Sequence, residues 1–550
     1  MMIDGTTGND SLTGTPEADW IHSYGGRDTL LGGAGDDVLH DNEDLDHVGD
    51  DSMFGEEGND SLHTYRGDDT LDGGEGEDTA FITTSYADAD VTLDLSTGAG
   101  VLAGWIYSVV FRSIEQLNYH GGVGLDSIIG GTGGDLMHGG GGDDVLQGGD
   151  GDDALNGDSG NDSLSGGAGN DILWSAEGDD TLDGGEGEDS AFISTSYADA
   201  DVTLDLSTGA GVLEGGIYSV VFRSIERLNF YGGAGQDSII GTAGGDMLKG
   251  GGGDDVLQGG DGDDSLFGGS GFGDARLSGG AGNDFLSSQG GNDTLDGGDG
   301  VDIADYSATF YADLTFDLAA GTGRIIHETR VVVLTSIERL NFYGSGAQDR
   351  IAGAARADTL YGAAGDDRLV GRGGDDYLTG ASGNDSLLGG LGKDKLNGNT
   401  GDDRLGGAGG NDVLIGFVGD DTLWGGQGHD RLNGGAGQDV LTGGAGHDWF
   451  TFYFGVSGQG WDTITDFDPA QDTIRLQGAS LAGLGKGVLP EGAFAIAADG
   501  LAQAADDRIL YDSTTGALYW DTDGAGGADA VQFAQVQPGL ALTAADFVLF

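Results

Sequence analysis

The side chains most able to do chemistry in this chain are carboxylates, and they are periodic. Between Gln348 and Phe450 an Asp stands at every ninth residue: Asp349, Asp358, Asp367, Asp376, Asp385, Asp394, Asp403, Asp412, Asp421, Asp430, Asp439 and Asp448. Two residues after nearly every one comes a Leu, from Leu360 and Leu369 to Leu432 and Leu441. Gly fills much of the space between, as in Gly434-Gly435-Ala436-Gly437-Gln438-Asp439-Val440-Leu441-Thr442, so the unit is Gly-Gly-x-Gly-x-Asp-x-apolar-x. A unit this short cannot form a helical hairpin. Its x-apolar-x segment fits a very short strand with one side chain inward and two outward. The Gly-rich remainder fits a turn that needs φ > 0 and close backbone approach. Two units then complete one coil of a flattened solenoid with two parallel sheets. Leu360, Leu378 and Leu396 stack along one sheet, and Leu369, Leu387 and Leu405 along the other. Asp349, Asp367 and Asp385 line one edge and Asp358, Asp376 and Asp394 the other, about 4.8 Å apart from coil to coil. Bare carboxylates stacked this way repel one another. Clustered hard oxygens, joined by turn carbonyls, suit calcium rather than zinc or copper.

The same spacing organises the rest of the chain. A first block, 1–78, carries Asp10, Asp19, Asp28 and Asp37, then Asp51, Asp60, Asp69 and Asp78 in a phase shifted by five residues. The link Asn42-Glu43-Asp44-Leu45 lacks Gly, which predicts a widened turn, and Pro16, Glu17 and Tyr24 depart from the repeat and weaken the first sites. A second block, 126–189, carries Asp126, Asp135, Asp144, Asp153, Asp162, Asp171, Asp180 and Asp189. A third, 237–302, carries Asp237, Asp246, Asp255 and Asp264, then Asp284, Asp293 and Asp302. It falters at Gly271-Phe272-Gly273-Asp274-Ala275, where Ala275 takes the ligand phase and a calcium is expected to be missing or distorted. The fourth block is 349–448.

Three inserts separate the blocks: 79–125, 190–236 and 303–348. Phe81-Ile82-Thr83-Thr84-Ser85-Tyr86 returns as Phe192-Ile193-Ser194-Thr195-Ser196-Tyr197, an offset of 111, and Ser336-Ile337-Glu338-Arg339-Leu340-Asn341 ends a diverged third copy. Ala89 to Leu95 alternates like a half-buried strand, and Trp105 to Phe111 is a second strand candidate. Each insert is expected to be a wider solenoid turn. The alternative is a platform for a ligand or partner.

With this nonapeptide along nearly its whole length, the chain resembles the RTX (repeats-in-toxin) family. The resemblance implies an all-β fold, a parallel β-roll (β-solenoid) with three wider β inserts and a C-terminal β-rich cap. It also implies that the Asp side chains named above, with loop carbonyls, hold calcium between successive coils. Pairing in-phase aspartates within unbroken blocks gives about 24 ions carrying roughly +48, which would take the net charge of −74 to about −26. Without metal such a composition reads as disordered, so binding free energy becomes folding free energy.

Residues 449–550 are similar to the C-terminal region of serralysin-type RTX proteins. Trp449 to Phe454 is expected to close the open end of the solenoid. Arg508 to Tyr511 and Ala517 to Trp520, flanking Ser513-Thr514-Thr515-Gly516, read as a hairpin. The ending Asp546-Phe547-Val548-Leu549-Phe550 is similar to the uncleaved signal of type I secretion substrates, which implies the type I secretion machinery as a partner and a secreted or bacterial cell-surface location. The N-terminus has neither a basic nor an apolar leader region, and no run is long enough to span a membrane.

Other functions find little support. With 21 Lys and Arg against 95 Asp and Glu, a nucleic-acid partner is excluded. His327-Glu328-Thr329-Arg330 begins a zinc-protease motif but lacks its second His, there is no Gly-x-Ser-x-Gly elbow and no Cys, and no enzyme is expected. His429 and His447 sit at variable turn positions and are expected to be solvated. Arg350, Arg368 and Arg404 point outward on one sheet and Lys395 and Arg431 on the other, with Tyr377 and Trp449, either balancing charge or docking the acidic edge of another copy. The expected role is structural and self-assembling at a bacterial surface, as layer, filament or matrix. A calcium-dependent adhesin or polysaccharide-binding module is the alternative, and an enzyme with its site in the inserts comes last.

Overall fold

The computed structural model describes residues 1–550 apart from 42–48, 86–87, 105–106, 197–198, 217, 270–272, 309–312, 328–329, 455–459, 479–483, 498–500, 523 and 525–529. Among the described residues there are β-strands and short 3-10 turns and no α-helix. The chain forms two compact units, Met1–Gly271 with Ala275–Ala281, and Phe272–Asp274 with Gly282–Phe550.

In the second unit, successive strands alternate between two parallel walls. One wall contains Thr359–Ala364, Tyr377–Ser382, Lys395–Thr400, Val413–Val418, Arg431–Ala436 and Trp449–Phe454. The other contains Arg350–Ala352, Arg368–Gly373, Ser386–Leu391, Arg404–Gly409, Thr422–Gln427 and Val440–Ala445. Leu360, Leu378, Leu396, Leu414 and Leu432 stand in register in the first wall and are fully buried. Leu369, Leu387, Leu405, Leu423 and Leu441 do the same in the second. The core is thus two apolar rows pressed together, and each coil buries its leucines only against its neighbours.

Most strands here run six residues, twice the expected length. The chain kinks after the inward Leu and then pairs again, so that Ala381 stands against Asn399 and Ser382 against Thr400. The kink is one residue in the left-handed region, usually Gly but also Ala381 (φ 83°), Asn399 (φ 75°) and Phe417 (φ 79°). A single αL residue redirects the strand without ending the ladder.

The first unit repeats the design. Its 23-residue coil carries Leu30 onto Met53 and Leu39 onto Leu62 in register; the widened turn expected at 42–45 lies outside the described residues. Each insert is more than a wide turn. Thr92–Asp94 forms with the expected alternation, but Gly100–Leu102 then runs antiparallel to Val109–Arg112 before that strand rejoins Thr70–Glu75 in parallel. The strand expected from Trp105 starts only at Val109, and 105–106 lie outside the described residues. The same meander recurs at Gly211–Leu213 and, in the second unit, at Gly323–His327. Doubling back is what lets a wall gain three strands before the chain crosses to the other wall.

Each insert also shifts the core row. Thr79–Thr83 and Gln116–His120 bury two side chains each, Ala80 with Leu117 and Ile82 with Tyr119. The earlier row (Leu39, Leu62) arrives on Ala80, and the later row leaves from Tyr119 to Met137. The row has moved by two residues. Ala191 and Ile193 make the same step.

At the C-terminus one expectation is corrected. Trp449–Phe454 does not close the end; it lies inside its wall between Arg431–Ala436 and Thr473–Gly478, which in turn carries Phe547–Leu549. The reason is that Phe450 keeps the inward phase and sits on Leu432. The expected hairpin forms between Ile509–Tyr511 and Ala517–Trp520.

Candidate metal centres

Every aspartate singled out from the spacing is buried except Asp10. The sequence put them on an edge; the fold turns them under the loops. Asp385 shows the arrangement. Its N–H donates to Oδ1 of Asp403 (2.7 Å), its own Oδ1 accepts the N–H of Asp367 (2.8 Å), and its carbonyl accepts the N–H of Arg404 (2.8 Å). Oδ2 is buried and no donor reaches it. The same ladder runs without interruption from Asp349 to Asp421 on one edge and from Asp358 to Asp430 on the other, each Oδ1 taking the N–H of the Asp one coil before. Asp51, Asp162 and Asp264 hold equivalent rungs in the first unit. Asp237 also holds one, accepting from Val202 rather than from an aspartate.

The second oxygen sorts the aspartates into two classes. Oδ2 is open at Asp367, Asp376, Asp385, Asp394, Asp403, Asp412, Asp421, Asp430 and Asp448, and in earlier blocks at Asp28, Asp37, Asp60, Asp78, Asp144, Asp153, Asp171, Asp189, Asp255 and Asp302. It is closed at Asp10, Asp19, Asp135, Asp246, Asp349 and Asp358, where the N–H four residues earlier donates to it. A hydroxyl closes it at Asp69 (Thr64), Asp126 (Tyr119), Asp180 (Ser175) and Asp293 (Ser288). In the last block the cause is visible. Arg350–Ala352 stops after three residues and the N–H of Ala354 turns back onto Asp358, whereas Arg368–Gly373 runs on and leaves Asp376 open.

Except at Asp28, where Ser23 stands five residues earlier, each open Oδ2 faces a small cradle beside a Gly. A methyl built on Gly371 would overlap Oδ2 of Asp376 and lie 2.8 Å from the carbonyl oxygen of Gly389, one coil on. Gly362 relates in the same way to Asp367 and to the carbonyl of Gly380 at 2.9 Å. Carboxylate and carbonyl oxygens converge there with no donor between them. The set is all oxygen and fits a hard cation. The RTX calcium-binding nonapeptide repeat (4 copies) matches residues 4–39, 48–80, 120–155, 156–191, 229–248, 240–274, 271–304, 343–378, 379–414 and 415–450, more than half of the chain.

The chain belongs to the RTX calcium-binding repeat family. Among solved structures, the AlgE6R3 subunit of the mannuronan C5-epimerase from Azotobacter vinelandii is similar at 29% identity over 29% of this chain and 80% of that one, with a TM-score of 0.14. The extracellular lipase LipA from Serratia marcescens is similar at 16% identity over 60% of this chain and 41% of that one, also with a TM-score of 0.14. No curated protein matches.

Burial sets the electrostatics of the RTX carboxylates. It pushes Asp376 up to about 8, the charges of Asp358 and Asp394 adding to it, while the N–H of Asp358 works the other way. Asp153 also reaches about 8, by burial and then by Asp135 and Asp171. Asp367, Asp403, Asp421 and Asp430 rise to about 7, again chiefly through burial. A divalent ion in the cradle opposes both causes at once.

Several residues of the RTX ladder escaped the spacing rule. Glu115, Glu226 and Glu338 take rungs at the inserts, accepting the N–H groups of Asp78, Asp189 and Asp302 at 3.0 Å each. Their signal was Ser-Ile-Glu in all three inserts. Asp462 and Asp472 extend the two ladders past the last repeat. Asp41 lies off the nonapeptide phase, yet its carboxylate, with those of Asp51 and Asp69, brings oxygens within 4.8 Å of one another. Ala275 is buried at a ladder position, and Arg276 keeps the local register by donating to the carbonyl of Asp255.

A second, outer ladder explains the residue before each Asp. The N–H of Asn384 donates to Oδ1 of Asp366 (2.8 Å), Asp402 to Asn384 (2.7 Å) and Asp420 to Asp402 (2.9 Å). His429 and His447 belong to it. Both are exposed, as expected, but Nδ1 of His429 accepts the N–H of His447 (2.9 Å), and Nδ1 of His447 donates to the carbonyl of Gln471 (2.8 Å). The signal was the doublet Gly-Asp-Asp or Gly-Asn-Asp.

Proposed function

We propose that this protein is a secreted, non-catalytic β-roll that folds on calcium outside the cell and assembles there. One observation carries the calcium dependence: buried carboxylates repeat from coil to coil with one oxygen unpartnered. An ionised carboxylate left this way is strongly disfavoured, and calcium relieves it at each open aspartate. The chain would leave the cell unfolded, through type I secretion machinery, and fold at external calcium. In chelator at pH 8, circular dichroism is expected to show coil, and millimolar calcium to restore the β signal. A full β signal in chelator sinks this reading.

Assembly is supported by one face of the second unit. Arg350, Arg368 and Arg404 are exposed on one wall, and the neighbouring row of that wall exposes Leu388 and Trp424. On a chain of net charge −74, a basic and apolar face is complementary to the acidic loops of a second copy. Each surface ion pair contributes roughly 0–1 kcal/mol, so assembly needs many in register and weakens with salt. Light scattering at millimolar calcium is expected to show multimers for the wild type and monomers for Arg350→Glu/Arg368→Glu/Arg404→Glu. Equal assembly of the variant means the face is wrong.

A polysaccharide-binding role is the second reading. It is supported by a groove of about 540 Å3 in which Lys393, His429, Arg431, His447 and Trp449 stand beside the buried Asp412 and Asp430, and in which the Arg431 guanidinium lies 4.7 Å from the Trp449 ring. Cationic and aromatic groups side by side suit an acidic sugar. Retention of a calcium-loaded monomer on an acidic glycan column would favour it over assembly.

A further inference from the structure

We propose that each insert builds a calcium site of its own, in which a Glu replaces the aspartate of the next coil: Asp78 with Glu115, Asp189 with Glu226 and Asp302 with Glu338. The proposal rests on the calcium reading above and extends it to residues outside every stretch that matches the repeat.

The ordinary cradle has four parts. At Asp376 they are the open Oδ2, the bare face of Gly371, the carbonyl of Gly389 one coil on, and the carboxylate of Asp394, which accepts the N–H of Asp376. At Asp78 all four recur with different residues. Oδ2 of Asp78 is open and the residue is 0% exposed. A methyl on Gly73 would overlap that Oδ2 and the carbonyl oxygen of Ser113. The N–H of Asp78 donates to Oε2 of Glu115 at 3.0 Å. Ser113 therefore stands for Gly389 and Glu115 for Asp394.

The substitution compresses the loop. In a repeat, the cradle carbonyl and the ladder carboxylate are five residues apart; in the insert, Ser113 and Glu115 are two apart. Two features make the shorter loop reach. Ser113 adopts φ 47°, a conformation that L-residues avoid, which turns its carbonyl toward the cradle. The longer Glu side chain then spans the distance that the loop backbone covers elsewhere.

The chain repeats the arrangement three times. Ser224 (φ 48°) and Ser336 (φ 51°) share the strained conformation. Their carbonyls meet the bare faces of Gly184 and Gly297, beside the open Oδ2 atoms of Asp189 and Asp302, each 0% exposed. Glu226 and Glu338 accept the N–H groups of Asp189 and Asp302 at 3.0 Å. A Glu that served only as a backbone cap would account for the hydrogen bond. It would not account for the buried open oxygen or the strained serine carbonyl aimed at the same space.

Substitution by Gln separates the two roles, because a Gln side-chain oxygen still accepts the N–H but carries no charge. Calcium bound per chain would be counted by atomic emission after equilibrium dialysis at millimolar calcium. Glu115→Gln/Glu226→Gln/Glu338→Gln is expected to bind three ions fewer than the wild type with the same circular dichroism. An unchanged count overturns the proposal. If the triple variant does not fold, Glu226→Gln alone decides, by one ion fewer against none. Asp385→Asn serves as the control: ions lost there but none at the Glu variants overturn the insert sites and leave the repeat sites standing. A wild type that binds no calcium overturns both readings.

Discussion

In chelator, the β-structure lost at pH 8 is expected to return in large part at pH 5. Burial, the main cause in each case, raises the open aspartates of the metal-free roll above the 3.8 of an unperturbed carboxyl, to about 6 at Asp394 and to about 8 at Asp376. In that interval the folded state holds more protons than the unfolded one, so stability falls as pH rises. The contribution is complete below 3.8 and is lost as pH passes through about 6 to about 8. Protons thus substitute for calcium by neutralising the same oxygens. Two measurements follow: the calcium midpoint is expected to be higher at pH 6 than at pH 8, and calcium added at pH 5, where the metal-free chain is folded and protonated, is expected to release protons into a weakly buffered solution. A metal-free chain equally folded at pH 5 and pH 8, or calcium uptake with no proton release, contradicts this account.

The largest effect of a single substitution is expected from Gly410→Ala. Gly410 has φ 146°, and a methyl there would overlap the carbonyl oxygen of Gly392, a backbone atom in the coil before it. Gly428 presses on the carbonyl of Gly410 in the same way, so neither neighbour can give. Left-handed backbone costs an L-residue about 1–2 kcal/mol, and overpacking about 1–3 kcal/mol more. Because coils touch only their neighbours, no other contact bridges the break, and the coils on either side of it are uncoupled. Gly485→Ala isolates the backbone part: φ is 79° there and nothing lies within 4 Å of the added methyl. Calcium titrations followed by circular dichroism should show a midpoint raised severalfold for Gly410→Ala and raised clearly less for Gly485→Ala. Coincident midpoints would remove steric closeness of the coils as the cause.

What was legible in the sequence is what periodicity controls. Leu360, Leu378 and Leu396 stack as expected because side chains eighteen residues apart have no other place in a two-wall coil. Asp367 and Asp385 meet for the same reason. The state of each carboxylate was not legible. Gly130-Gly131 precedes Asp135 and Gly139-Gly140 precedes Asp144, yet the first loop closes on its Asp and the second leaves it open. That choice depends on whether the strand goes on pairing past its kink, and coils distant in sequence decide it. Glu115 was hidden because its coil spans 37 residues and no spacing rule reaches it. Gly100–Leu102 was hidden because three residues carry no usable period.

The two-residue step at each insert has a consequence for slippage. Within the last block every coil resembles the next, and a chain wound one coil out of frame would still set Leu on Leu and Asp on Asp. Such a block has no landmark of its own. The step supplies one: Ala80 and Ile82 must meet Leu117 and Tyr119 together, whereas the six-residue strands of the last block before Trp449 carry Gly, with no side chain, two residues after the inward Leu. Each insert therefore acts as punctuation, and a slip in one block cannot run into the next. It follows that a block can gain or lose length over evolutionary time in whole coils of eighteen residues without disturbing its neighbours. A change of nine would send every later strand to the opposite wall, and the next insert would find no partner.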